Sequence, residues 1–301
     1  MMFVRAVVVS KYGPPEGLKL VDIEKPTPKA NELLVKIHAT TVTFGDAMLR
    51  RMGRASRLVM GLFMGGLGKG KILGHEFAGE VEAVGGQATR FKPGDKVFGS
   101  AGMKGSAHAE YISLPEDSMV AMKPENLSFE EAAAIPIGAN TAYDILRKGN
   151  IRRGQQVLIY GASGSVGSYA LQLAKYWGAE VTGVSSASNF EMVNSLSADF
   201  VIDYKTEDFT QSSKTYDVIF DTVRKLSSSK SEKALKANGV FLSSRTSTKE
   251  KAENLIFLKE LIEQGKLKPV IDRTYPLEKI IEAQRYVDTG RKRGNVVITV
   301  R

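Results

Sequence analysis

The sequence has no cysteine among its 301 residues. That absence excludes disulfides, thiol nucleophiles and any zinc site built on thiolates. No run of about 18 uncharged apolar residues occurs, the length a bilayer-crossing helix needs. The opening stretch, MMFVRAVVVSKYG, lacks the apolar block and small-residue cleavage site of a secretory leader and reads as a first strand. A soluble, cytoplasmic protein with no membrane partner is therefore expected. Acidic charge is short as well, with 33 Asp and Glu against 42 Lys and Arg, a net charge of +9. Such an excess raises the question of nucleic acid, because clustered cations exchange phosphate counterions favourably. Here the cations are mostly spread along the chain and no aromatic-interleaved RNA motif accompanies them, so a solvated basic surface is the expectation. Internal repeats and low-complexity segments are also missing, although residues 50–71 are rich in Gly, Met and basic residues.

What is present is an ordinary globular composition, 43% apolar and 25% charged, with room for two domains. The first 120 or so residues are short apolar runs (RAVVV, LLVKIHA, GEVEAVG, DKVFG, AEYISL) punctuated by turn residues, the grammar of a β-rich domain. From about Asn126 helix and strand alternate, starting with a capped helix at Ser128 and Glu131. Apolar runs at residues 157–160, 181–184, 200–202, 218–220 and 240–242 are short and nearly uninterrupted, as strands covered on both faces are, so a parallel sheet is expected. The tail from Pro269 returns to strand-like VID and VVITV around a helix and is expected to rejoin the first domain.

The strongest local signal is VLIYGASGSVGSYALQLAKYWGAEVTGV. A strand leads into a turn at residues 161–167, and Val166, Ala170, Leu173, Ala174 and Trp177 then share one apolar helical face that ends at Gly178. A dinucleotide turn needs three small residues: for tightness, for close approach to the pyrophosphate, and for packing of the helix on the strand. Ala162, Gly164 and Gly167 fill those places, the first being Ala where the rule has Gly. An NAD site puts Asp or Glu at the end of the second strand to hold the ribose hydroxyl. This strand ends Ser185, Ser186, Ala187, Ser188, Asn189, with no acid before Glu191. Hydroxyls and an amide there, with Tyr204 and Lys205 alongside, suit the 2′-phosphate of NADP.

Six segments then carry a resemblance over nearly the whole chain: ILGHEFAGEVEAVG, RFKPGDKVFG, AAAIPIGANTAYDIL, IYGASGSVG, VIDY and GKLKPVIDRTYPLEKIIEAQRYV. Together they resemble the zinc-free, quinone-oxidoreductase-like branch of the medium-chain dehydrogenase/reductase superfamily. The resemblance implies an α/β fold: a Rossmann doubly wound parallel sheet (124–266) plus a β-rich, chaperonin-10-like (GroES-like) catalytic domain (1–123 and 267–301), with NADPH and substrate in the cleft between them. It implies that Ser163, Gly164, Ser165 and Val166, with Gly167, take the pyrophosphate. Ser185, Ser186, Asn189 and Tyr204 would take the adenosine phosphate, and Thr141, Thr222, Val223, Leu242 and Ser243 would approach the nicotinamide half. The substrate it implies is a quinone or an α,β-unsaturated carbonyl compound.

Zinc-dependent relatives hold the metal with two Cys and a His-Glu pair; this chain keeps His75 and Glu76 without any Cys, so no metal is expected and His75 reads as a structural residue rather than a catalytic acid. The family's Asn-Pro-x-Asp-like segment reads Thr43-Phe44-Gly45-Asp46. Thr43 is thus a candidate to orient the carbonyl or a water. Asp46 is either catalytic or one half of an exposed i,i+4 pair with Arg50. Arg224 stands where relatives usually have Gly, and Asn295 where they often have Lys. The resemblance implies that roughly two dozen residues are missing between Ser244 and Leu255, spent in relatives on a helix and an edge strand that often pairs across a dimer, so the homodimer is in doubt. No nucleophile or carboxylate pair announces itself, which fits hydride transfer: NADPH across Gly164 and Gly167, and a proton from water or Thr43. The segment from Met52 to Lys71 reads either as a substrate cover or as a surface helix with a Gly-rich exit. A non-catalytic NADPH-binding structural or regulatory protein of the same fold is the competing reading.

Overall fold

The structure, a computed structural model, describes residues 1–63, 68 and 70–300. Part of the Met52 to Lys71 segment therefore lies outside the described residues. In chain order the first elements are β1 (Phe3–Val9), β2 (Leu18–Glu24), β3 (Glu32–Thr41), α1 (Phe44–Arg51), α2 (Arg54–Phe63), β4 (Glu76–Val84), β5 (Lys96–Ser100), β6 (Tyr111–Pro115), β7 (Val120–Met122) and α3 (Phe129–Ala133). Then follow α4 (Pro136–Leu146), β8 (Gln156–Tyr160), α5 (Ser165–Tyr176), β9 (Glu180–Ser185), α6 (Phe190–Ser195), β10 (Phe200–Asp203), β11 (Tyr216–Asp221), α7 (Ser228–Glu232) and β12 (Leu235–Ser243). The chain closes with α8 (Ala252–Glu263), β13 (Ile271–Pro276), α9 (Ile280–Asp288) and β14 (Asn295–Thr299). Among the described residues no helix is long and apolar enough to cross a membrane.

Two compact units result. The first comprises residues 1–137, 250–260 and 271–301. Its larger sheet runs β13-β14-β3-β4-β5-β7, with β6 also on β3, and β1 and β2 form an antiparallel hairpin. Alternation turns Leu33, Val35, Ile37, Phe77, Val97 and Ile298 into one core. Helix α3 starts on the capping box of Ser128 and Glu131 and packs against β3, β4, β5 and β14.

The second unit, residues 138–249 and 261–270, is built on five parallel strands in the order β10-β9-β8-β11-β12. Numbered within the unit this is 3-2-1-4-5, the Rossmann order without a sixth strand. Strand β8 lies at the centre, and its Val157, Leu158 and Ile159 are fully buried, which is why that run needs no polar alternation. Helix α5 packs on β8 and β9.

Arg50 does not pair with Asp46. It is fully buried and turns toward α9, donating from Nε to Gln284 Oε1 at 3.1 Å, from Nη2 to Asp288 Oδ2 at 2.5 Å, and to the carbonyl of Gly13. The i,i+4 spacing fails as a guide because Asp46 is drawn to the helix start, where it completes a capping box with Thr43. Removing the guanidinium strands Asp288 and Gln284, so Arg50→Leu should cost about 3 kcal/mol, the range for breaking a buried ion pair. Equilibrium urea denaturation would read the shift; a loss below a third of that would mean α1 and α9 are held by apolar packing alone.

Candidate functional site

In the second unit the turn after β8 is shaped by two glycines. Gly161 has φ +85°, a left-handed conformation, and a Cβ there would collide with the side chains of Val223 and Thr222. A Cβ on Gly167 would overlap the carbonyl oxygen of Gly161, so α5 lies against the strand end at a distance only glycine permits. Ala162 is fully buried, which explains why the position stays small. Helix α5 begins at Gly164 with no side-chain cap, presenting an amide-rich, positive helix end. Ser163, Gly164, Ser165 and Val166 are all partly exposed around it. This fits a phosphate-bearing ligand, since Gly164 supplies no side-chain cap.

Beyond β9, Asn189 Nδ2 donates to Ser163 Oγ at 3.0 Å, tying the turn to the loop where the phosphate preference was read. Ser186 and Ser188 hydroxyls are 3.0 Å apart, and Tyr204, about half exposed, donates its backbone N–H to Ser185 O at 3.2 Å. Ser185 itself is buried and its hydroxyl is spent on Ser186 O at 3.2 Å, so Ser186, Asn189 and Tyr204 are the presented groups. Thr222 Oγ1 donates to Tyr160 O at 2.8 Å, placing Thr222 and the exposed Val223 over the β8 end. Leu242 is buried and Ser243 half-buried at the end of β12, and Thr141 is half-buried on α4. Arg224 has φ +60°, a left-handed region that glycine enters freely and a residue with a Cβ enters at a cost.

In the first unit a different cluster forms around Asp46. The carboxylate is completely buried, and Oδ2 accepts from Thr43 N at 2.8 Å and from Thr43 Oγ1 at 2.6 Å. Oδ1 accepts from Gly74 N at 2.9 Å and faces His75 Nδ1 at 2.7 Å. Burial alone would raise Asp46, but the His75 ring and these donors outweigh it and hold the carboxyl well below the usual carboxylate range. For His75, burial would lower the ring and the adjacent Asp46 carboxylate reverses that, leaving it above an ordinary histidine. Glu76 is buried, accepts from Ile137 N at 2.6 Å and from Thr41 Oγ1, and is pushed up to about 7 by burial against those hydrogen bonds. Burial likewise lowers Lys292 to about 8, partly offset by Glu76. His108, also buried, sets Nε2 2.9 Å from Thr41 O; a carbonyl only accepts, so that nitrogen carries the proton and the ring is neutral, in keeping with its lowered pKa, set first by burial.

Thr43 and Asp46 are thus brought together, but as a helix start whose carboxylate orients His75. The Thr-x-x-Asp spacing before an apolar helix was the signal for that cap. Nothing in the local sequence marked Arg50, His108 or Lys292, whose surroundings come from distant segments. Among the described residues, no group of three or more His, Asp and Glu side chains is arranged to hold a metal ion.

The 3-2-1-4-5 sheet and its glycine-shaped turn are those of a dinucleotide-binding fold. Residues 29–125 match the alcohol dehydrogenase GroES-like domain, and residues 196–251 and 228–298 match the zinc-binding dehydrogenase family. The chain is 36% identical over 308 residues to the 2-methylene-furan-3-one reductase of Solanum lycopersicum, covering 95% of this chain and 76% of that one. It is 32% identical over 321 residues to the quinone oxidoreductase of Homo sapiens, covering 95% and 94%. The solved quinone oxidoreductase of Coxiella burnetii superposes with a TM-score of 0.86 at 29% identity over 100% of both chains. The chain belongs to the quinone-oxidoreductase-like branch of the medium-chain dehydrogenase/reductase superfamily, whose members take a nicotinamide cofactor.

The buried acids give the first unit a definite pH response. Glu76 holds a proton in the folded state up to about 7 and releases it near 4.5 when unfolded, so stability falls as pH rises across that window. His75, raised when folded, adds a loss in the same direction as pH climbs through its folded value. Asp46 acts oppositely: its contribution is present above the unfolded value of 3.8 and disappears as pH falls below it. Glu76→Gln, which keeps an oxygen for Ile137 N, should flatten the decline between about pH 4.5 and 7 by on the order of 2 kcal/mol. Urea midpoints at both ends of the window test this, and an unchanged slope would place the titration elsewhere.

Proposed function

We propose that the protein transfers hydride from NADPH to quinones or α,β-unsaturated carbonyl compounds, without zinc, in the cytoplasm. In this reading residues 124–266 form the nucleotide domain, and residues 1–123 with 267–301 the catalytic one. The observation that carries the cofactor preference is the end of β9, where Ser186 and Asn189 stand beside Tyr204 with no carboxylate among them. A carboxylate there would hold a ribose hydroxyl and repel a 2′-phosphate; hydroxyls and an amide donate to the phosphate instead. The substrate class rests on relatives named for quinones, alkenals and methylene-furanones. The absence of zinc rests on the donor set: the chain has no thiolate, Glu76 spends both oxygens on Ile137 N and Thr41, and Asp46 occupies Nδ1 of His75.

When bound, the nicotinamide cofactor supplies the hydride. The start of α5 and the turn from Ser163 to Gly167 would hold the pyrophosphate, and Ser185, Ser186, Asn189 and Tyr204 would take the adenosine phosphate. Thr141, Thr222, Val223, Leu242 and Ser243 would approach the nicotinamide half. Reduction of an enone or a quinone would leave an oxyanion that needs a proton, for which water or the Thr43 hydroxyl would be the source. In the resting geometry Thr43 points its hydrogen at Asp46, so delivery from Thr43 requires its hydroxyl to turn. Asp46 keeps that hydroxyl and the His75 ring in place.

Isothermal titration should show NADPH binding at least about tenfold tighter than NADH, or 1.4 kcal/mol. Ser186→Asp should abolish that preference by opposing the phosphate. Equal affinities in the unmodified protein would refute the reading of the β9 loop, and absence of NADPH oxidation across a panel of quinones and enones would refute the reaction.

A further inference from the structure

We propose that Arg224 and Arg245 form a subsite for an oxyanion on the substrate, so that this protein takes enones or quinones carrying a carboxylate. The proposal rests on the hydride-transfer reading and narrows its substrate class.

Arg224 occupies the left-handed region at φ +60°, a conformation costly for a residue with a Cβ and free for glycine. Strain of this kind persists only where the surroundings enforce it, and it concentrates at ligand sites. Here the enforcement is visible. Arg224 Nε donates to Ser244 O at 3.1 Å, and Arg245 Nη2 donates to Arg224 O at 2.6 Å. The loops that follow β11 and β12 are thereby stapled together at the carboxyl ends of the parallel strands, the edge at which open α/β sheets bind their ligands. Arg224 follows Val223, whose side chain presses on Gly161 of the nucleotide turn.

The charge of the pair is not neutralised by the protein. Both arginines are exposed, and among the described residues neither is ion-paired. The one carboxylate of the loop, Asp221, is fully buried and accepts from Val223 N at 3.0 Å and Leu226 N at 2.9 Å, so it does not face them. Lys225 adds a third exposed cation. Ser244, whose carbonyl holds Arg224, also has a buried hydroxyl without a hydrogen-bond partner among the described residues. Two guanidinium groups with donors to spare suit the paired oxygens of a carboxylate or phosphate. The substrate is favoured over the cofactor as source, because the phosphate-binding features lie at the start of α5 and beyond β9, whereas these arginines follow β11 and β12.

The test is NADPH oxidation with a vinyl ketone bearing a carboxylate at the far end of its alkyl chain, compared with the methyl ester. The acid should exceed the ester in kcat/KM by about tenfold. Arg224→Gly, which relaxes the backbone and so does not threaten folding, and Arg245→Gln should each bring that ratio to about one through a higher KM for the acid. A ratio near one in the unmodified enzyme, or a ratio untouched by both changes, overturns the proposal. So does an equal loss of NADPH affinity in the variants by calorimetry, which would assign the arginines to a cofactor phosphate. If neither compound is reduced, the hydride reading fails by itself, and titration with the saturated keto acid still decides the subsite: weakening in Arg224→Gly supports it, identical affinity removes it.

Discussion

The nucleotide end of the molecule depends on one close approach, that of α5 to the carbonyl of Gly161. Because Gly167 has no Cβ, the helix can begin directly at the strand end, and Gly164 brings no capping side chain to its start. The same turn sets where other loops lie. Gly161 in its left-handed conformation makes room for Val223 and Thr222, and Thr222 is then held on Tyr160 O. A larger residue at 161 or 167 would disturb the start of α5 and the β11 loop together, because both are packed on the same turn.

In the first unit the organising feature is electrostatic. A fully buried carboxylate is costly unless several donors compensate it, and Asp46 collects Thr43 N, Thr43 Oγ1, Gly74 N and His75. The helix start contributes too, since a negative charge in the first turn of α1 complements its dipole. With Asp46 so satisfied, His75 is oriented through Nδ1 and keeps a fixed ring direction with no metal in the argument. Glu76 next to it is raised chiefly by burial, which its hydrogen bonds from Thr41 and Ile137 do not outweigh, and the Asp46 charge adds to the rise, while Asp46 falls because His75 and its donors outweigh its own burial.

Much of this was legible in the sequence because it is local. The runs at 157–160 and 181–184 became β8 and β9, since uninterrupted apolar residues between turn signals have few alternatives to a doubly covered strand. The Ser128-Glu131 cap formed as its spacing indicates. The failures are non-local. Arg50 looked like a partner for Asp46 four residues earlier, but its true partners, Gln284 and Asp288, lie more than two hundred positions away. The strain at Arg224 was equally hidden: the residue was marked as unusual for the family, but only backbone geometry shows that the position demands a left-handed turn.

The contacts of the loop after β12 give the arginine pair a physical context. The sheet of the second unit ends at β12. An edge strand without a neighbour leaves backbone groups and a loop to be fixed by other means. Side chains supply the anchorage for the loop: Asn140 donates to Lys249 O at 3.1 Å, Lys249 N donates to Asp144 at 3.3 Å, and Arg245 reaches back to Arg224 O. That loop is tied to α4 on one side and to the β11 loop on the other. The left-handed turn at Arg224 and the reach of its side chain act together in this anchorage, because the residue whose guanidinium holds Ser244 O also offers the carbonyl that Arg245 binds.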